Sequence, residues 1–230
     1  MFNRIAAAVM VLSLAACATR HPRPVVPVVP AQAQLQALPP PGEYPIDSSA
    51  SELRLLVYRA GPLANLGHNH VMVNRAVTGA VQIGASVASS SFSLSMRADG
   101  FVIDDAQSRQ EEGGDFPGDI PEDAKAGTRR NMLSGAVLNA AEFPDITVKS
   151  IALSGTLNEM NADLEISAAG HTSRISVPLT LQGDAHHFIA AGSMELRQTA
   201  LGLSPYSLLH GALQVQDAMQ LKLKITVSTN

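Results

Sequence analysis

The sequence predicts an all-β protein: about eight strands closing into one antiparallel barrel with an apolar interior and a short helical insertion. Three observations carry this. Met219, Leu221, Leu223, Ile225 and Val227 alternate with Gln220, Lys222, Lys224 and Thr226, the period-two pattern of a half-buried strand. The same alternation recurs in Ser91–Met96 and Ile175–Leu181, and the strand signals between them are separated by turn-prone Asn, Asp and Gly. So many sequential strands in a single domain need closure, because an open sheet edge is free to pair with other chains. A length of 230 residues is enough for one sizeable sheet-rich core.

In chain order, residues 1–16 read as an export signal. Arg4 supplies the positive start, Ile5 to Leu14 an apolar run too short to span a bilayer, and Ala15-Ala16-Cys17 a small-residue cleavage site. Leu14-Ala15-Ala16-Cys17 matches the bacterial lipobox, so Cys17 is expected to be acylated and to become the mature N-terminus. Ala18, rather than Asp, follows it, as in lipoproteins sorted to the outer membrane. The expected location is therefore the bacterial cell envelope, on the outer membrane facing the periplasm. Residues 17–43 then read as a tether. Seven of the fourteen prolines fall between Pro22 and Pro41, which favours a semi-extended spacer.

The barrel domain is expected over 44–230. Glu52–Arg59 opens it as a strand. Val71–Ile83 follows as one long strand, kinked at Asn74-Arg75, with Gly79 at a bulge or close approach. Ser91–Met96 puts Phe92, Leu94 and Met96 on one face, and Phe101–Asp104 extends it after a turn. Gln107–Asp123, acidic and glycine-containing without periodicity, reads as a solvated loop. Pro121-Glu122-Asp123 starts a helix that passes Lys125, Arg129 and Met132 and stops near Gly135. A second helical turn is expected over Val137–Phe143, broken by Pro144. Strands return at Ile146–Leu153, Ala162–Ala168, Ser173–Leu181 and His187–Arg197, with Pro178 placing its strand at an edge or a bulge.

Composition narrows the function. A net charge of −4 with no basic stripe argues against nucleic acid as a partner. Aromatic residues make up 4% of the chain and Trp is absent, so any cavity would have aliphatic walls suited to an aliphatic ligand. The single Cys rules out an intrachain disulfide. The serine-rich stretch Ser89–Ser93 lacks a nucleophile elbow, and no glycine-rich phosphate loop or nucleotide fingerprint occurs, so no enzyme is expected. No cofactor and no protein partner is named by the residues.

One cluster stands out. In Leu66-Gly67-His68-Asn69-His70 the two imidazoles, two residues apart on extended chain, share a face. They are candidates to hydrogen-bond a ligand head group, to ligate a metal together with His210, or to serve as plain structural or surface histidines. Arg129-Arg130 could pair with a phosphate head, or simply balance the neighbouring acidic segment.

Several segments together resemble the YceI family, lipocalin-like proteins that bind polyisoprenoid lipids. They are Tyr44-Pro45-Ile46-Asp47-Ser48, Gly79, Arg129-Arg130-Asn131-Met132-Leu133, Glu142-Phe143-Pro144-Asp145-Ile146, Val177-Pro178-Leu179-Thr180-Leu181 and Gln216-Asp217-Ala218-Met219. Leu179 to Gly183 keeps part of a family segment, and the His68/His70 motif resembles a subset of members. The resemblance implies an eight-stranded antiparallel lipocalin-like barrel with its helical insertion near one opening. It also implies a polyisoprenoid or quinone-like lipid lying along the interior. Carried over, Phe92, Leu94, Met96, Phe143, Phe188 and Met194 become candidate wall residues, beside His68 and His70. The expected function is a membrane-anchored lipid carrier; the alternative is a metal-binding or redox-accessory enzyme built on the histidine pair.

Overall fold

A computed structural model describes residues 34–228. The expected signal segment, Cys17 and the spacer up to residue 33 lie outside the described residues. Twelve strands follow in chain order: β1 (Gly42–Pro45), β2 (Glu52–Ala60), β3 (His70–Asn74), β4 (Thr78–Ile83), β5 (Ser91–Arg97) and β6 (Val102–Ile103). After two helices, α1 (Ala106–Glu112) and α2 (Glu122–Leu133), come β7 (Asp145–Gly155), β8 (Met160–Ala168), β9 (His171–Gly183), β10 (His187–Arg197), β11 (Ser207–Leu208) and β12 (Leu213–Ser228). The sheet runs β1-β4-β5-β7-β8-β9-β10-β12-β2-β3-β6, antiparallel at every pairing, with β11 against β12.

The count exceeds the eight expected for identifiable reasons. β1, β6 and β11 are short, and the long second strand divides at residues 75–77 into β3 and β4. That division curls the sheet. β3 pairs with β2 and β4 pairs with β5, so three residues carry the chain between the two ends of the sheet. The buried Asn74 latches the kink: its amide donates to the Arg97 carbonyl at the end of β5 and its oxygen accepts from the Ala76 N–H. Gly79 permits the tight crossing on β4. Its φ is +141°, and a Cβ there would meet the Ser93 carbonyl oxygen at 2.0 Å.

Alternation decides what the curl encloses. Leu53, Leu55 and Val57 of β2, Met96 of β5, Val148 of β7 and Leu221 of β12 belong to one interior cluster. Leu56, Val71 and Val73 point the other way and make a second, exterior cluster with Phe116. A one-residue slip would exchange the two faces, so the register is fixed by this pattern.

Two expectations are corrected here, and two are met in detail. Gln107–Asp123 is not a solvated loop: α1 occupies its first half, and Phe116 and Ile120 are buried. The helix starts where the Asp105 carboxylate accepts from the Ser108 N–H, an N-cap. Its last turn is tied to the outer side of the sheet by charge, with Arg54 of β2 donating to Glu111 at 2.7 Å and to Glu112 at 2.8 Å. Residues 137–143 hold the short helical turn expected there, with the Phe143 N–H donating to the Asn139 carbonyl, and α2 stands where a helix was expected, with Pro121 as its N-cap and its end at Leu133. Pro178 stands at a locally open edge, as expected: at that point β9 pairs with β8 and not with β10. It is tolerated because β9 pairs with β10 only from Thr180 to Gly183, so its missing N–H falls beyond the ladder on that side. The spacer expected through residue 43 ends sooner: the Leu35 N–H donates to the Leu181 carbonyl, Leu35 is buried, and Leu38 packs on the interior cluster. These two leucines are apolar anchors in an otherwise Pro/Ala/Gln stretch.

Candidate functional site

The interior of the sheet is hollow. A cavity of about 330 Å³ lies towards α2 and the Leu66–His70 segment. A second, of about 110 Å³, lies towards Leu38 and Phe188. Leu53, Val148, Ile166 and Leu221 line both, so the two chambers adjoin at a waist made by β2, β7, β8 and β12. Register explains part of it: Leu94, Val148 and Ile166 are direct cross-strand neighbours on β5, β7 and β8. The smaller chamber is walled by aliphatic residues apart from Ser90 and Phe92 and Phe188.

The larger chamber has a buried, charged corner at His70, and Arg59, Asn131, Gln198, Tyr206 and Gln214 also reach its wall. His70, at the start of β3, is 13% exposed through its side chain and sets Nδ1 2.6 Å from Asp104 Oδ2. Asp104 is fully buried, and its Oδ1 accepts from Arg109 Nη1 at 2.7 Å and from the Val71 N–H at 2.9 Å. Arg109 is itself buried; it also donates to the carbonyls of Asn69, Pro117 and Gly118, and its guanidinium lies 5.9 Å from the Phe116 ring centre. The other face of the His70 ring system ends at Nε2, which lies 3.3 Å from the Thr128 hydroxyl on α2. His70 and Thr128 both line the chamber.

Asp104 concentrates three costs at one residue: burial, charge and a left-handed backbone with φ of 54°. Such concentrations persist where the surroundings over-determine them, and they cluster at functional positions. Burial pushes the Asp104 carboxyl up, but the hydrogen bonds from His70, from the Val71 N–H and from Arg109 outweigh it and hold the carboxyl below the usual carboxylate range. A lowered folded value means stability that is present above the unfolded value, about 3.9, and is lost as pH falls through the folded one. We expect the difference in unfolding midpoint between wild type and Asp104→Asn to shrink from pH 6 to pH 3. A difference that stays constant across that range would show that Asp104 is not the titrating group.

The candidate residues fall into three groups. Met96, His68 and His70 line the larger chamber, and Phe92, Leu94 and Phe188 line the smaller. Met194 packs against the interior cluster but lines neither chamber. Phe143 also lies outside both walls: its ring covers Gly170, where a Cβ would come within 2.7 Å of it. Its neighbour Pro144 accepts from the Ala98 N–H, so this segment serves the seam between β5 and β7. The His68 and His70 rings stand edge to face with centres 6.2 Å apart, and His68 is exposed at the mouth. His210 does not complete a metal site with them: among the described residues no three His, Cys, Asp or Glu side chains converge. Asn69, between the two histidines, faces away, accepting from the Arg59 N–H and donating to the Asp115 carbonyl. Arg129 donates to the carbonyls of Asp99 and Phe101, and so anchors α2.

Asp104, Arg109 and Thr128 were not among the sequence candidates. Asp104 was visible only as a strand end, Arg109 only as one charge in an acidic run. Nothing local marks the site, because Asp104 and Thr128 meet His70 across 34 and 58 residues of chain, and Arg109 joins through Asp104.

This curled sheet and its hollow interior define a binding-protein fold. The chain belongs to the YceI family: the family model for the YceI-like domain matches residues 44–227. Among solved structures, BcnA of Burkholderia cenocepacia superposes with a TM-score of 0.58 at 14% identity, over 79% of this chain and 98% of that one. A mutant of the Campylobacter jejuni YceI protein matches with a TM-score of 0.50 at 8% identity, over 67% of this chain and 81% of that one. At these identities the likeness is one of fold. No curated protein sequence matches the chain significantly.

Proposed function

We propose that this protein is a membrane-anchored lipid-binding protein of the bacterial cell envelope, holding a polyisoprenoid-like chain, prenyl or quinone, along its interior. The observation that carries this reading is the pair of adjoining, mainly apolar chambers, the larger with a buried polar corner at His70. Burying a chain at roughly 0.8 kcal/mol per methylene supplies ample gross affinity without many polar contacts. Family membership adds that the YceI-like domain is compatible with a hydrophobic lipid ligand. The lipobox-like Leu14–Cys17 supports the anchor, and Ala18 supports placement on the outer membrane.

Mass spectrometry on protein purified natively from a bacterial host tests both halves. A prenyl-type lipid is expected to co-purify, and the N-terminal peptide is expected to carry acyl chains on Cys17 that disappear in Cys17→Ala. An interior that returns no lipid, and takes none up when offered a prenol, would overturn the ligand half; an unmodified Cys17 would overturn the anchor.

The metal or redox alternative has less support, since among the described residues no third His, Cys, Asp or Glu side chain joins His68 and His70.

A further inference from the structure

The polar corner has a direction. Both oxygens of Asp104 are committed, one to Arg109 and the Val71 N–H, the other to His70 Nδ1. Arg109 supplies the counter-charge to the carboxylate, and an ionised carboxylate only accepts, so the hydrogen between Asp104 and His70 belongs to Nδ1. A carboxylate held on one ring nitrogen fixes the imidazole tautomer and its orientation, which is how such pairs work around metals and in catalysis. In the neutral ring Nε2 then presents a lone pair. Its partner in the protein is the Thr128 hydroxyl at 3.3 Å, long for an O–H donor. The result is an under-satisfied acceptor at the edge of a chamber whose other walls are mostly hydrocarbon.

We propose that His70 Nε2 reads the polar end of the bound chain and selects a lipid that terminates in a hydroxyl. The favoured class is an alcohol, phenol or hydroquinone on a long apolar tail. The disfavoured class carries the same tail but ends in an ether, ester or quinone carbonyl. A hydroxyl donates to Nε2 and frees Thr128 to bond the same oxygen. An acceptor-only head sets lone pair against lone pair and leaves Nε2 with its long internal contact alone, the unpaired-partner penalty by which built polar sites discriminate. This rests on the reading of the interior as a lipid-chain site, and names which head that site takes.

The test is displacement of N-phenyl-1-naphthylamine, an apolar fluorophore, from the purified protein by two competitors with one carbon skeleton, farnesol and farnesyl methyl ether. Farnesol is expected to compete about tenfold better, and His70→Phe is expected to bring the two within about twofold. Thr128→Val, which removes the internal donor and leaves the ring in place, is expected to widen the preference for farnesol. Equal competition in the wild type, a preference that survives His70→Phe, or an unchanged or smaller ratio in Thr128→Val would overturn the head-group assignment. Failure of both competitors to displace the fluorophore would instead overturn the chain site itself.

Discussion

Replacing Arg109 by alanine is expected to lower the unfolding free energy by about 3–5 kcal/mol, the range seen when one partner of a buried ion pair is removed. Domains of this kind hold only about 5–15 kcal/mol in total, so the variant should sit near the edge of folding at room temperature. The reason lies in what Arg109 satisfies. It neutralises the fully buried Asp104 and caps three carbonyls, and its loss leaves a charge and several acceptors without partners. Urea denaturation of Arg109→Ala, Asp104→Asn and the double variant measures it. The double variant should be much less destabilised than the sum of the singles, because each single leaves behind the charge that the other removes. Strict additivity, or a loss below about 1 kcal/mol in Arg109→Ala, would show that the pair does not hold the segment after β6.

The second large effect is expected at the waist. Val148 stands between Leu94 and Ile166 and lines both chambers. Val148→Phe should fill the junction and leave the larger chamber open. Added bulk in a closed core costs roughly 1–3 kcal/mol, and the void here should absorb much of it. Shutting a tail out of the smaller chamber removes several buried methylenes at roughly 0.8 kcal/mol each, so a long prenol should bind about a hundredfold more weakly. A short one, such as geraniol, should bind within about threefold of wild type. Displacement titrations with the two alcohols check this. If the two lose affinity equally, the chambers do not act in series on one chain.

How far the sequence carried these conclusions depended on whether a property is local. β10 is found with the ends expected for it, and β12 contains the alternating run that announced it, because period-two patterning is written into each strand. The kink at Asn74-Arg75 was legible for a similar reason: polar residues interrupt an apolar run. α1 was not. Its seven residues, Ala106 to Glu112, include no large apolar side chain, so no helical stripe exists to detect. What holds it is mostly a set of distant partners, Arg54 and Lys222 for Glu112 and Arg54 for Glu111, beside the near pair of Asp104 and Arg109. Long-range charge pairing leaves no periodic trace. The same holds for the site. Met96, Phe92 and Leu94 were readable as inward-facing from β5 alone, whereas Asp104, Arg109 and Thr128 became neighbours of His70 only through the fold. Phe143 and Met194 misled for the complementary reason: apolar residues pack in many places, and a seam over Gly170 looks in sequence like a wall.

The polar corner is assembled from the start of β3, the turn after β6 and the two helices, whereas the waist and the smaller chamber are made by the strands. On the proposed reading, two separate parts of the chain thus govern the two halves of recognition, one the chemistry of the terminus, the other the room for the tail. Either could drift under selection, or be redesigned at the bench, with the other left as it stands, so a set of carriers differing in cargo length but sharing one terminal preference is within short mutational reach of this scaffold.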